Sequence, residues 1–201
     1  MPTIVSWPSH LPKGIEISEP TNSFDIFPTL LEIAGAEIPN DRVIDGKTLI
    51  PLLTQQSNIS SHEIMIHYCA KSIHAVRYRP RKGKEIYKAH FFTPKFTPGT
   101  EGCFGESLCS CYGSSVIAHE PPLLFDLTHD PGESFPLEPD SNQYKQVMDV
   151  INKAVEEHNK SVVEVPAELD SYLPSPRRQV CCHPPWCSCK ENVSLPKYYW
   201  P

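Results

Sequence analysis

The sequence predicts an α/β end followed by an α+β subdomain of about four antiparallel strands plus one helix. Two observations carry this. Near the start, a β-branched apolar run is followed by an amphipathic stretch of helical period. From about Ser61 the apolar period changes to two over four short segments, and then returns to helical over 141–158.

The elements follow in order. PTIVSW (2–7) reads as a buried strand. In FDIFPTLLEIAGA (24–36), Phe27, Leu30, Leu31 and Ala34 fall at i, i+3, i+4 and i+7, one apolar stripe on a helix near 26–34. Asp25 suits an N-cap or first-turn acid, Pro28 suits the first turn, and Gly35 is placed to stop the helix. A buried strand leading into such a helix implies a parallel sheet with neighbouring strands. The first 60 residues offer one convincing strand, so the expectation is a chain that begins inside a domain.

Asp45-Gly46 marks a turn. HEIMIHY (62–68), SIHAVRY (72–78), EIYKAHFF (85–92) and PLLFDL (122–127) read as strands, with RPRKGK turning between the second and third. DPGESFPLEPDS (130–141) is a loop. Tyr144, Val147, Met148, Ile151, Val155 and His158 then share a helical face, and Asp140 with Gln143 resembles a capping box. Beyond Val165 the chain is rich in Pro, Cys and aromatics without period. The expected domains are 1–60, the incomplete end of an α/β domain; 61–165, the sheet and helix; and 166–201, a tail.

With 201 residues the chain is long enough for a real core. A net charge of −6 gives no global attraction to nucleic acid or to an anionic membrane. No apolar run approaches the roughly 20 residues of a membrane span. Prolines number 22, about twice the usual share, and favour rigid loops. The eight cysteines stand at 69, 103, 109, 111, 181, 182, 187 and 189. An oxidising lumen would make disulfides of them and a reducing cytosol would suggest metal. Three Asn-x-Ser sequons, at Asn58, Asn159 and Asn192, agree with the secretory route, although the N-terminus shows no signal peptide.

Several constellations suggest chemistry and do not sustain it. His62-Glu63 with His67 spaces the two histidines five apart on a strand, whereas a zinc protease needs i, i+4 on a helix. They read as structural. RYRPRKGK (77–84) reads as a solvated basic turn rather than a nucleic-acid site. No GxSxG elbow and no Gly-rich phosphate loop is present. CCHPPWCSC could hold zinc if reduced, but adjacent Cys-Cys and Pro-Pro do not match the usual ligand spacing.

Four phrases taken together resemble one family. They are EPTNSFDIFPTLLEIAGAEIPNDRVIDGKTLIPLL (19–53), HEIMIHYC (62–69), KAHFFTPKFTP (88–98) and PPLLFDLTHDPGESFPL (121–137). Their order and spacing resemble the C-terminal third of vertebrate arylsulfatases of the steroid sulfatase group. The resemblance implies an alkaline-phosphatase-like α/β enzyme with a small C-terminal sheet, acting on sulfate-ester small molecules in the secretory lumen (endoplasmic reticulum, Golgi or lysosome). It also implies a formylglycine nucleophile, made from the Cys of a Cys-x-Pro/Ser-x-Arg motif, and a Ca²⁺ held by carboxylates. Attack on an anionic ester needs such an activated oxygen and dense positive charge. None of the eight cysteines here has Pro or Ser at +2 together with Arg at +4, and the paired aspartates for calcium are absent. The expectation is a sulfuric ester hydrolase fragment with no catalytic residue and no metal ligand of its own, inactive alone. A noncatalytic, disulfide-braced lumenal binding module derived from a sulfatase is the alternative.

The resemblance further implies the pairs Cys69–Cys111, Cys103–Cys109, Cys181–Cys187 and Cys182–Cys189. It makes the loop CFGESLCSC (103–111) a lip over the substrate pocket, with Glu106, Ser107, Leu108 and Ser110 at the matching positions. Ser107 stands where steroid sulfatase has a pocket histidine, and Ser110 where it has an apolar lining residue, a departure that puts a steroid substrate in doubt.

Overall fold

A computed structural model describes residues 3–98, 103 and 109–163. The chain divides into two compact units, Met1–Lys160 and Ser161–Pro201. The first unit is built around a four-stranded antiparallel sheet of order β1-β2-β3-β4, with β1 Ile64–Cys69, β2 Ser72–Tyr78, β3 Tyr87–Pro94 and β4 Val116–Asp126. Among the described residues three α-helices accompany it: α1 Ile26–Ala34, α2 Ile50–Leu53 and α3 Asn142–Ser161.

The pleat sorts the residues onto two faces. On one, Ile66, Val76, Ala89 and Leu124 stand in a row across all four strands, and Ile64, Tyr78, Tyr87 and Asp126 form the next row. The expected stripe of α3 closes this face, burying Tyr144, Val147, Met148 and Ile151 in one cluster with Val76, Tyr87, Ala89 and Leu124. Val76, Ala89, Leu124 and Ile151 are fully buried. On the opposite face the rows are Met65, Arg77, Lys88, Phe125 and His67, Ala75, His90, Leu123.

Four expectations need correction. The segment 3–7 forms no strand, and Ile4 is 96% exposed; among the described residues no neighbouring strand supplies a ladder for it. β4 begins six residues before the expected start, because Glu120-Pro121-Pro122 interrupts the alternation while an edge strand tolerates proline. At α3 the cap is Ser141 rather than Asp140: the Ser141 hydroxyl accepts a hydrogen bond from the Tyr144 amide at 3.2 Å. The basic turn is not wholly solvated, since Arg79 is buried.

Helix α1 starts and stops where the sequence places it. Gly35 takes φ +66° and its amide closes onto the Glu32 carbonyl. Its orientation is unusual. Asp25, Pro28 and Thr29 are buried against the chain's own backbone, while Phe27 and Leu30 of the apolar stripe are 46% and 58% exposed. The Thr29 hydroxyl donates to the Asp25 carbonyl and accepts from the Leu49 amide, so the polar side of the helix is the side in use.

Candidate functional site

Three polar nodes and one covalent clasp hold the unit together. The first node is Asp25, a fully buried carboxylate. It accepts from the Asn22 amide at 2.8 Å, the Lys47 amide at 2.9 Å and His62 Nε2 at 2.6 Å. A buried acid persists when its lone pairs are met, and these three donors meet them. Gly46 makes the approach possible, since a Cβ there would stand 2.1 Å from the Phe24 carbonyl oxygen. The node ties α1 to the entrance of β1.

The second node is Glu19 with Arg79, a fork of 3.1 Å to Nε and 2.9 Å from the far terminal nitrogen. The Ser60 amide adds a third bond at 2.7 Å. Burial pushes the Glu19 carboxyl up, but the Arg79 and Ser60 hydrogen bonds outweigh it and leave the group below its ordinary value. Arg79 is thereby spent on holding the N-terminal segment to the sheet.

The third node lies on the sheet face opposite α3. Glu133 reaches back from the 130–141 loop, accepting from Lys88 Nζ at 2.5 Å and His90 Nε2 at 2.6 Å. Burial raises its carboxyl, and Lys88 and His90 more than reverse that. Glu133 holds φ +53°, an uncommon conformation for a side-chain-bearing residue, in a turn braced by the Asp130 carboxylate on the amides of Ser134 and Phe135. In sequence this residue sits in a plain loop, and its partners lie more than 40 positions away.

The clasp is Cys69–Cys111, with Cα atoms 5.4 Å apart, followed by Cys103–Cys109 at 5.0 Å. Both are pairs the resemblance implied. They gather the end of β1 and the start of the region leading into β4, and the Tyr112 hydroxyl accepts from the Lys71 amide beside them. Of the proposed lip, Ser110 is exposed and accepts a long hydrogen bond from the Tyr112 amide. Glu106, Ser107 and Leu108 lie outside the described residues, as do Cys181, Cys182, Cys187, Cys189 and Asn192. Asn58 and Asn159 are both exposed.

The donor set of the described residues does not fit calcium. Among the described residues no group of three His, Cys, Asp or Glu side chains converges on one point, and Asp25 and Glu133 direct their oxygens at hydrogen-bond donors. Also among the described residues, no helix is long and apolar enough to cross a membrane.

Comparison with known proteins places these features. Residues 60–190 match the model of the C-terminal region of aryl-sulfatase, and residues 1–96 match that of the N-sulphoglucosamine sulphohydrolase C-terminus. Human arylsulfatase D is 43% identical over 197 residues, covering 96% of this chain and 33% of the relative. Human steryl-sulfatase is 43% identical over 94% of this chain and 33% of its own length. Arylsulfatase of Hemicentrotus pulcherrimus is 37% identical over 99% of this chain and 36% of its own. The chain thus spans about a third of the length of the curated relatives it matches. It belongs to the sulfatase family, and what it carries is the C-terminal region of an arylsulfatase.

Proposed function

We propose that this chain works as the C-terminal portion of a formylglycine- and calcium-dependent hydrolase of aryl or related sulfate esters, and that it turns over no ester alone. The observation that supports this is helix α1. Its polar side is bonded to its own chain through Asp25 and Thr29, while Phe27 and Leu30 on the other side stand open to solvent. An apolar stripe on an amphipathic helix is built to be covered. In this reading residues 1–60 finish the catalytic α/β domain, 61–165 form the C-terminal sheet subdomain, and 166–201 are a tail. The nucleophile and the calcium ligands belong to the remainder of the enzyme.

The part played by these residues is then positional. The Asp25 and Glu19 nodes fix the end of the catalytic domain to the sheet. The clasp Cys69–Cys111 holds the lip residues Glu106, Ser107, Leu108 and Ser110 at the mouth of the pocket, and the two serines make that mouth polar. The disulfides and the kinship with vertebrate sulfatases agree with the secretory pathway. Its lumen is the proposed compartment, with glycans on Asn58, Asn159 and Asn192.

The deciding experiment is an aryl-sulfate assay with added Ca²⁺ on the purified 201-residue chain. No turnover above blank is expected, and turnover would refute the reading. The alternative, a noncatalytic binding module, draws on the closed core of the sheet and α3. It requires the isolated chain to remain monomeric and unfold cooperatively as a whole, whereas an open α1 face should drive self-association.

A further inference from the structure

The sheet face opposite α3 has more positive groups than it has partners for them. In the first row Arg77 of β2 stands directly across from Lys88 of β3, a like-charge pair that disfavours the sheet. In the next row His67 and His90 flank Ala75, so only a methyl group separates the two imidazoles' positions. One acid, Glu133, reaches this group, and it is bonded to Lys88 and His90. Among the described residues no acid is bonded to the other half. Arg77 forms no ion pair among the described residues, and its Nε is buried without a hydrogen-bond partner. The Nε2 of His67 is buried and unpartnered as well. An orphaned polar nitrogen beneath a half-buried cation costs free energy unless an acceptor meets it.

We propose that Arg77 and His67, with Lys88 at the edge, form a binding site for a small tetrahedral oxyanion on this face. The chemistry suits such a ligand. Arg offers a planar fork of donors to oxyanion oxygens, and Lys adds a point charge. Glu133 already shows that an oxygen anion is accommodated here, since its carboxylate fills the Lys88–His90 half through two short bonds. Its two oxygens are bonded to Lys88 and His90, so among the described residues Glu133 acts on His67 only through space and no acid is hydrogen-bonded to Arg77 or His67. The site does not depend on the chain being part of a hydrolase.

The test is a titration of the disulfide-intact 201-residue chain with inorganic sulfate and with inorganic phosphate at constant ionic strength. Binding is followed through the imidazole resonances of His67 and His90. A saturable response in the millimolar range is expected with either anion and not with chloride, which separates a site from the general stabilising action of sulfate. Arg77→Gln should weaken binding about tenfold, the loss of one charge-assisted hydrogen bond. Arg81→Gln, in the exposed turn, should leave it unchanged. Glu133→Gln removes the competing carboxylate and should tighten binding, which keeps the test decisive if Arg77→Gln fails to fold. A linear, non-saturable response, equal affinity in Arg77→Gln, or weaker binding in Glu133→Gln would each overturn the assignment.

Discussion

Helices α1 and α3 are both amphipathic, and they meet opposite fates. In α3 the apolar face is closed: Ile151 is fully buried on the row Val76, Ala89, Leu124. In α1 the apolar face is open and the polar edge is bonded, through Asp25 and Thr29. The same periodicity in sequence therefore marks a helix that completes its own core and one whose apolar stripe is left half open among the described residues. Amphipathicity says that a face will be covered, and only the topology says by what.

Perturbations should separate the two regions, and the largest effect belongs to the clasp. Losing Cys69–Cys111, which spans 42 residues, should cost on the order of 4 kcal/mol in the loop-entropy view. The check is the urea midpoint of Cys69→Ala paired with Cys111→Ala. In the core, Leu124→Ala should cost about 3 to 4 kcal/mol, since the side chain is wholly enclosed in the cluster that α3 closes. At the Asp25 node, Asp25→Ala should cost about 3 kcal/mol, because it orphans two amides and a buried imidazole at once. That loss should appear as early proteolysis in 20–60 before the sheet is cut.

Acid should act on the outer face of the sheet. Burial and the neighbouring Arg77, Lys88 and His90 hold His67 below its ordinary value of 6.5, and burial with Lys88 does the same to His90. Such groups favour a neutral folded form, so their contribution is present above about pH 6.5 and falls as the pH drops below it. Glu133, also depressed, adds a second loss below about pH 4.5. A stability–pH profile of His67→Gln should lose part of the first decline and keep the second.

The smallest effect on stability should come from α1. Leu30→Glu, at a side chain 58% exposed, should change the unfolding midpoint by no more than about 0.5 kcal/mol. It should nonetheless reduce self-association, read by sedimentation velocity. A large loss of stability there would mean that the stripe is already packed.

Local pattern revealed much of this architecture. β2 and α1 lie where periodicity places them, because Ser72–Tyr78 alternates cleanly and Gly35 punctuates its helix. The strand expected over 2–7 illustrates the limit: Ile4 and Val5 have strand character but no ladder among the described residues. The start of β4 was hidden by prolines that an edge position tolerates. The third node was invisible for another reason. Lys88 and His90 share a face by alternation, but nothing local tells them that Glu133 will arrive from more than 40 residues away. Asp25 was legible as a helix-start acid and not as a three-donor hub, since its partners Lys47 and His62 are distant in sequence. The oxyanion site needed register, which single-sequence pattern does not fix across three strands.

If the chain is one part of a larger enzyme, the open face of α1 becomes an internal contact of the whole. Leu30→Cys offers the most direct measurement: the rate of maleimide labelling at that thiol, above the unsubstituted background, in the 201-residue chain and in the same segment joined to a complete arylsulfatase catalytic region. Rapid labelling in the first and strong protection in the second is the predicted result. Equal, rapid labelling in both would contradict it.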